Sequence, residues 1–310
     1  MIDVILESGQ DRRKLVRKAV DALGDDFFGL VRDAQRILIK VNLVDHERQL
    51  ACTHVDAVRG LLDVLKIYSP GQILVGDAGY RGTISAWQRF GYENLLREYK
   101  QVELVNLNDD EVVDGWTVKR DGTRNPIRRS KLAHEVDLRI SLTPMKIDAV
   151  TGASLSIQNW TVGTWVTPSR VSATGRVWAR WPWLDEEGST AHHKSIAELY
   201  KQLPCDVAIV DGVLAMEGDG PVRGTAVQSG IVLAGMDALA VDAVGATLMG
   251  LDPSHIGYLH FSHEEGLGSI NMSRINVPPM VMSQSARAFD RPLGFDANMR
   301  TWREEEESLV

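Results

Sequence analysis

Short, unbroken runs of β-branched and other apolar residues recur along the chain, at residues 37–41 (ILIKV), 73–75 (ILV), 102–107 (VELVNL), 136–142 (VDLRISL), 207–210 (VAIV) and 231–234 (IVLA), after an opening strand at residues 2–6. A strand with one wet face alternates apolar and polar residues, so unbroken runs of this length fit strands covered on both faces. Helical spacing appears between them. Leu15, Val16, Ala19, Val20 and Leu23 recur at three and four residues, with Gly24 placed to end that helix. Thr53 is placed to cap the next helix, to about Lys66, with Asp56 completing a capping box. A third helical stretch, residues 85–99, breaks near Gly91. Alternating strands and helices imply the α/β class: a mostly parallel sheet with right-handed crossovers and helices on both faces, in Rossmann-like layering.

One α/β domain over residues 1–277 accounts for the chain, and its 44% hydrophobic content is ample for a core. Residues 116–127 carry Asp121-Gly122 between polar, β-prone flanks, a hairpin signal. Residues 151–193 break the rhythm. There Trp160, Trp165, Trp178, Trp181 and Trp183 fall among Arg170, Arg176 and Arg180, in a Gly-, Ser- and Thr-rich context. Such a stretch serves either as a lid or as an interface in a homo-oligomer. Residues 278–310 read as an acidic C-terminal extension, partly disordered at its end.

The net charge of −8 argues against binding to nucleic acid. No run approaches the roughly 20 apolar residues that span a bilayer, and residues 1–10 lack the features of a signal peptide, so the expected location is cytoplasmic, away from membranes. Cys52 and Cys205 are too few for an iron–sulfur cluster or a structural zinc site and are expected to be buried free thiols.

Ligands of open α/β sheets bind beyond the carboxyl ends of the strands. That rule collects Lys40 and Asn42, Asp77, Lys146, and Asp211 with Glu217, and predicts one shared cleft. Lys40, Asn42, Asp77, Gln158, Asn159 and Gly220 are the candidate ligand-binding residues, since ammonium and amide donors hold carboxylate or phosphate oxygens. Glu217, Asp211 and Lys146 are the candidate catalytic groups. Residues 211–224 read as an acidic, glycine-rich loop in which Asp211, Glu217 and Asp219 suit a divalent metal. Ser154, Ser156, Gln158 and Asn159 suit a helix start aimed at the same crevice. His54, His192 and His193 are candidate proton carriers, though a structural role is the simpler reading for each. The chain holds no Rossmann fingerprint or P-loop, and neither HExxH nor GxSxG.

Several of these stretches resemble a bacterial and archaeal family known as domain of unknown function 362. They are LIKVNLV with Lys40 and Asn42, Thr53, SLTPMK with Lys146, SIQNW with Gln158 and Asn159, and residues 211–253 with MEGDGP. The resemblance covers most of residues 37–268. Gln158 stands where the family usually has a lysine, and Ile147-Asp148 replaces a Thr-His pair. Many relatives carry a ferredoxin-like segment with iron–sulfur cysteines, which this chain lacks, so no iron–sulfur cluster is expected. The resemblance supports the site map and implies no particular reaction.

Three functions remain open. One is an enzyme acting on a small anionic substrate or cofactor, by proton transfer or metal-assisted chemistry. The second is a non-catalytic carrier of a metallated or phosphorylated cofactor. The third is a structural partner protein that uses the Trp-rich segment.

Overall fold

The computed structural model describes residues 1–173 and 175–309. Its central sheet is built on β1 (Ile5–Ser8), β2 (Arg36–Lys40), β3 (Gln72–Asp77), β4 (Val102–Asn106), β5 (Leu138–Asp148), β6 (Val207–Glu217) and β7 (Ile231–Gly235), in the spatial order β1-β7-β6-β5-β2-β3-β4. From β6 through β4 every neighbouring pair is parallel, whereas β7 runs antiparallel to β6 and β1. The sheet is thus mainly parallel, as the unbroken apolar runs require. The predicted hairpin forms from Val112–Val118 and Arg124–Ser130, in a separate three-stranded sheet.

Helices cover both faces. On one side lie α1 (Arg12–Asp21), α2 (Gly24–Asp33), α3 (Val55–Tyr68) and α4 (Thr83–Phe90), contributing Leu15, Phe27, Leu61 and Ala86 to one apolar cluster. On the other lie α5 (Ser156–Val162), α6 (Ser189–Gln202), α7 (Ala238–Leu248) and α8 (Gly257–Glu264), with Trp160, Leu199, Val241 and Leu259 in a second cluster. Side-chain parity along each strand divides the core. Ile37 and Ile39 face the first cluster and Leu38 the second; Val207 and Ile209 face the first, Ala208 and Val210 the second. Each such fully buried Ile, Leu or Val contributes on the order of 1.5–3 kcal/mol. No helix among the described residues is long and apolar enough to cross a membrane.

Several sequence expectations need correction. β5 and β6 continue past Leu142 and Val210, so Asp211 and Glu217 lie in a strand and only Asp219 and Gly220 follow it. The polar letters in these extensions read as loop, but short strands satisfy their backbones: Gly152–Ser154 pairs with the end of β5 and Thr225–Val227 with the end of β6. Gly24 does not end a helix; with φ +81° it opens α2. The cap of α3 is His54, whose Nδ1 accepts from Asp56 N–H at 3.1 Å. Thr53 is used elsewhere, its hydroxyl accepting from Asn42 N–H at 2.8 Å and donating to Leu142 O at 2.9 Å, which ties the exits of β2 and β5 together.

Residues 151–193 also hold more regular structure than their composition suggests. Trp160 belongs to the core, its indole N–H donating to Leu203 O at 2.7 Å, so the covering part of the Trp-rich stretch begins only after α5. In the C-terminal extension, Phe295–Leu309 forms helix α9, which buries Trp302 against Ala197 and Phe261, while the extreme end expected to be disordered, Val310, lies outside the described residues.

Candidate functional site

A pocket of about 50 Å³ opens where β2 and β3 end, enough for a few water molecules or one small ligand group. Five of the six candidate ligand-binding residues line it, Lys40, Asn42, Asp77, Gln158 and Asn159, together with Ser154. Lys40 is the last residue of β2 and points to the α5 side of the sheet, continuing the parity of Leu38. Its ammonium lies 2.7 Å from Asp77 Oδ1 and donates to Asn159 Oδ1 at 2.5 Å. Asp77 Oδ2 in turn accepts from Leu43 N–H at 2.6 Å, which holds the turn after β2. Asn159 closes the frame by donating to Lys40 O and Ser141 Oγ, at 3.2 and 2.9 Å. All three residues are at least 97% buried.

The Trp-rich stretch supplies the opposite wall through Trp178, Arg180 and Trp181. Arg180 is itself buried, donating to the carbonyls of Trp165 and Trp178 and to Asn108 Oδ1 at 2.8 Å. Trp178 N–H donates to Tyr80 O at 2.9 Å, pinning the cover to the loop after β3. An ammonium has three donors and a guanidinium five, so these contacts leave Lys40 one N–H and Arg180 two. Two cations therefore meet one carboxylate at this pocket. Burial lowers the Lys40 pKa, opposed by Asp77, and brings Arg180 down to about 10.

The other sequence candidates lie apart from this pocket. Lys146 shares the parity of Ile140 and Leu142, which places it on the α1–α3 side, where its ammonium donates to Ala51 O at 2.9 Å. Burial brings its pKa down to about 8. Asp211 faces the same side and is paired with Arg12 at 2.7 Å; burial raises its pKa against that pull. Glu217 accepts from Asp290 N–H at 2.9 Å and braces the C-terminal segment. Asp219 is exposed. Gly220 is a packing glycine, because a Cβ there would fall 1.9 Å from Ile147 O. The single cleft expected for Lys40, Asn42, Asp77, Lys146, Asp211 and Glu217 thus resolves into a pocket around the first three, closed contacts of Lys146 and Asp211 on the opposite face, and Glu217 braced against Asp290. Among the described residues, no three His, Cys, Asp or Glu side chains group to hold a metal ion, so Asp211, Glu217 and Asp219 do not form the expected carboxylate set.

The polar series before Asn159 does begin a helix, but its N-terminus is occupied. Asp242 of α7 accepts from Ser156 N–H at 2.9 Å, from Ile157 N–H at 3.0 Å and from the Ser156 hydroxyl. Burial pushes the Asp242 carboxyl up to about 7 against those donors. Gln158 reaches the pocket while donating to Asp148 Oδ2 at 3.1 Å. The histidines have structural contacts. His54 caps α3, His193 accepts from Tyr258 N–H at 3.0 Å, and buried His192 packs near Trp181 with Nδ1 3.2 Å from Asp185 Oδ1. Both cysteines are buried and free.

Arg180 is the site residue that sequence reasoning left among the cover residues. Its signal was available, since it sits between Trp178 and Trp181, but no local pattern ties position 180 to position 40. Gly163 was missed altogether. A Cβ there would lie 1.8 Å from the Lys40 ammonium, so its bare backbone makes the seat for that charge.

A thylakoid-associated protein, sll1697, of Synechocystis sp. is 25% identical to this chain over 242 residues, 76% of the chain and 70% of the relative. Among solved structures, the lactate racemase apoprotein from Thermoanaerobacterium thermosaccharolyticum superposes with a TM-score of 0.47 at 16% identity, over 75% of this chain and 54% of that one. A protein from Thermotoga maritima superposes with a TM-score of 0.37 at 13% identity, over 67% and 52%. The chain spans about half the length of these two structures. A family model matches residues 37–247, a span from the second residue of β2 into α7 that takes in every residue lining the Lys40 pocket, and the chain belongs to that family, described as Domain of unknown function (DUF362).

Proposed function

We propose that the Lys40 pocket binds a small anionic ligand through a carboxylate or phosphate group, and that Lys40 exchanges a proton with it as an enzyme's acid or base. One observation carries this reading: the ammonium of Lys40, wedged between Asp77 and Asn159, keeps one N–H uncommitted beside the two of Arg180. The two cations would hold the anion beside largely buried side chains, where each charge–charge contact counts for more than in bulk water. The lowered pKa of Lys40 supports proton exchange, because a lysine displaced from its usual range transfers protons closer to neutral pH. Trp178 and Trp181 act as a lid in this reading, excluding water once the ligand is seated. The acidic net charge favours a small-molecule partner over nucleic acid.

Titration calorimetry with acetate and inorganic phosphate, on wild type and on Lys40→Met, tests the proposal. Saturable binding of either anion is expected for wild type, lost in Lys40→Met while the circular dichroism spectrum is preserved. Equal affinity in both proteins would sink it. A proton taken up or released on binding, read from the buffer dependence of the heat, is expected if Lys40 titrates.

A further inference from the structure

The covering stretch has a second side. Trp178, Arg180 and Trp181 line the Lys40 pocket, whereas Trp165, Ala179 and Trp183 line a separate groove of about 230 Å³, shared with the hairpin strand Arg124–Ser130. Among the described residues no acidic side chain lines this groove, although the chain as a whole carries a net charge of −8. Two arginines do. Arg128 is ion-paired with Asp114, while Arg170 has no carboxylate partner among the described residues and holds its guanidinium 5.4 Å from the centre of the Trp183 ring. Trp183 is 44% exposed, an open aromatic face beside a cation. At the same groove, Thr167 is 93% buried and its hydroxyl has no hydrogen-bond partner among the described residues. A buried hydroxyl left unpaired costs free energy, and a ligand acceptor or donor there would recover it.

We propose that this outer groove is a second ligand site, for a flat apolar ring bearing one carboxylate. The ring would stack on Trp183 against the apolar wall, and the anionic group would meet Arg170 and the Thr167 hydroxyl. The volume suits a one- or two-ring molecule and falls just below the usual range for drug-sized ligands. The inference does not rest on the chemistry proposed for Lys40, because the residues involved are different.

Titration calorimetry with 2-naphthoate, using uncharged 2-naphthamide as comparator, tests it on the full chain. Wild type is expected to bind 2-naphthoate saturably, and the amide about ten-fold more weakly. Arg170→Glu and Trp183→Ala change exposed side chains on different elements, and each is expected to weaken 2-naphthoate by about ten-fold or more with an unchanged circular dichroism spectrum. Asn42→Ala, at the inner pocket, is expected to leave that affinity unaltered. The proposal is overturned if wild type gives no saturable heat, if Arg170→Glu and Trp183→Ala both bind as wild type does, or if Asn42→Ala abolishes binding, which would move the ligand to the inner pocket. Acetate or phosphate binding at Lys40 is measured separately, so either site can fail without the other.

Discussion

Lys40 and Lys146 come from adjacent parallel strands, and each is 99% buried, yet Lys40 borders the pocket while Lys146 donates to a backbone carbonyl on the other face. Lys40 meets a carboxylate, an amide and a neighbouring guanidinium, and keeps a donor to spare. Lys146 meets a backbone carbonyl beneath α1 and α3, on the face where Asp211 is already matched by Arg12. The carboxyl ends of parallel strands thus locate an edge, not a site. Which face a residue takes follows from its parity along the strand, and whether that face is open follows from what packs over it.

The sharpest way to break the comparison is Lys40→Met. Removing one partner of a buried ion pair is expected to cost about 3–5 kcal/mol, because Asp77 is left charged and unpaired, and anion binding is expected to vanish with it. Urea unfolding of the single variant and of Lys40→Met combined with Asp77→Asn reads both effects. The double variant should regain stability without regaining the ligand. Recovery of binding in the double variant would show that Lys40 holds structure rather than ligand.

Lys146→Met should do the reverse. Its ammonium is displaced from 10.5 to about 8 by burial, so between those pH values the unfolded chain binds a proton that the folded chain has released, and wild-type stability rises with pH there. Below pH 8 the full cost is present. The variant is therefore expected to be more stable than wild type at pH 7, by up to about 3 kcal/mol, with the gap closing between pH 8 and 10.5 and with anion affinity unchanged. Thermal melts across that range check the sign; a constant gap would mean that packing, not charge, separates the two proteins.

Smaller effects follow for the residues expected to hold a metal. Glu217→Ala should lower stability by about 1–3 kcal/mol through the lost acceptor for Asp290 N–H, and leave anion binding intact. Asp219→Ala, at an exposed position, should change stability by no more than about 0.5 kcal/mol. A melt of wild type that rises on adding Mg²⁺, Mn²⁺ or Zn²⁺, and no longer rises in both variants, would restore the metal reading.

Much of the sheet was legible because buried strands announce themselves as unbroken apolar runs, and Lys40, Asn42 and Asp77 were found by sitting where such runs stop. The strand extensions in β5 and β6 were not legible. Polar residues such as Lys146 and Asp211 look like loop until the short added strand at residues 152–154 or a buried partner as distant in sequence as Arg12 is known. Asp242 illustrates the same gap. It lies inside a helix whose neighbours are small and apolar, and only the fold brings it to the start of α5, 86 positions from Ser156. Arg180 was visible as a residue but not as a wall of the pocket, since that requires the chain to return across β3 and Asn108.

Gly163 carries a genetic consequence. Its φ of −82° is one that alanine adopts freely, so conformation is no obstacle to a side chain and space is, because a Cβ would also fall 2.6 Å from Asn159 O. What it excludes is a methyl group in the space taken by the Lys40 ammonium. A change at position 163 would thus phenocopy the loss of Lys40: it would evict the charge while every ionisable residue of the pocket remained in the sequence, and a survey of the pocket's charged letters alone would count that protein as intact.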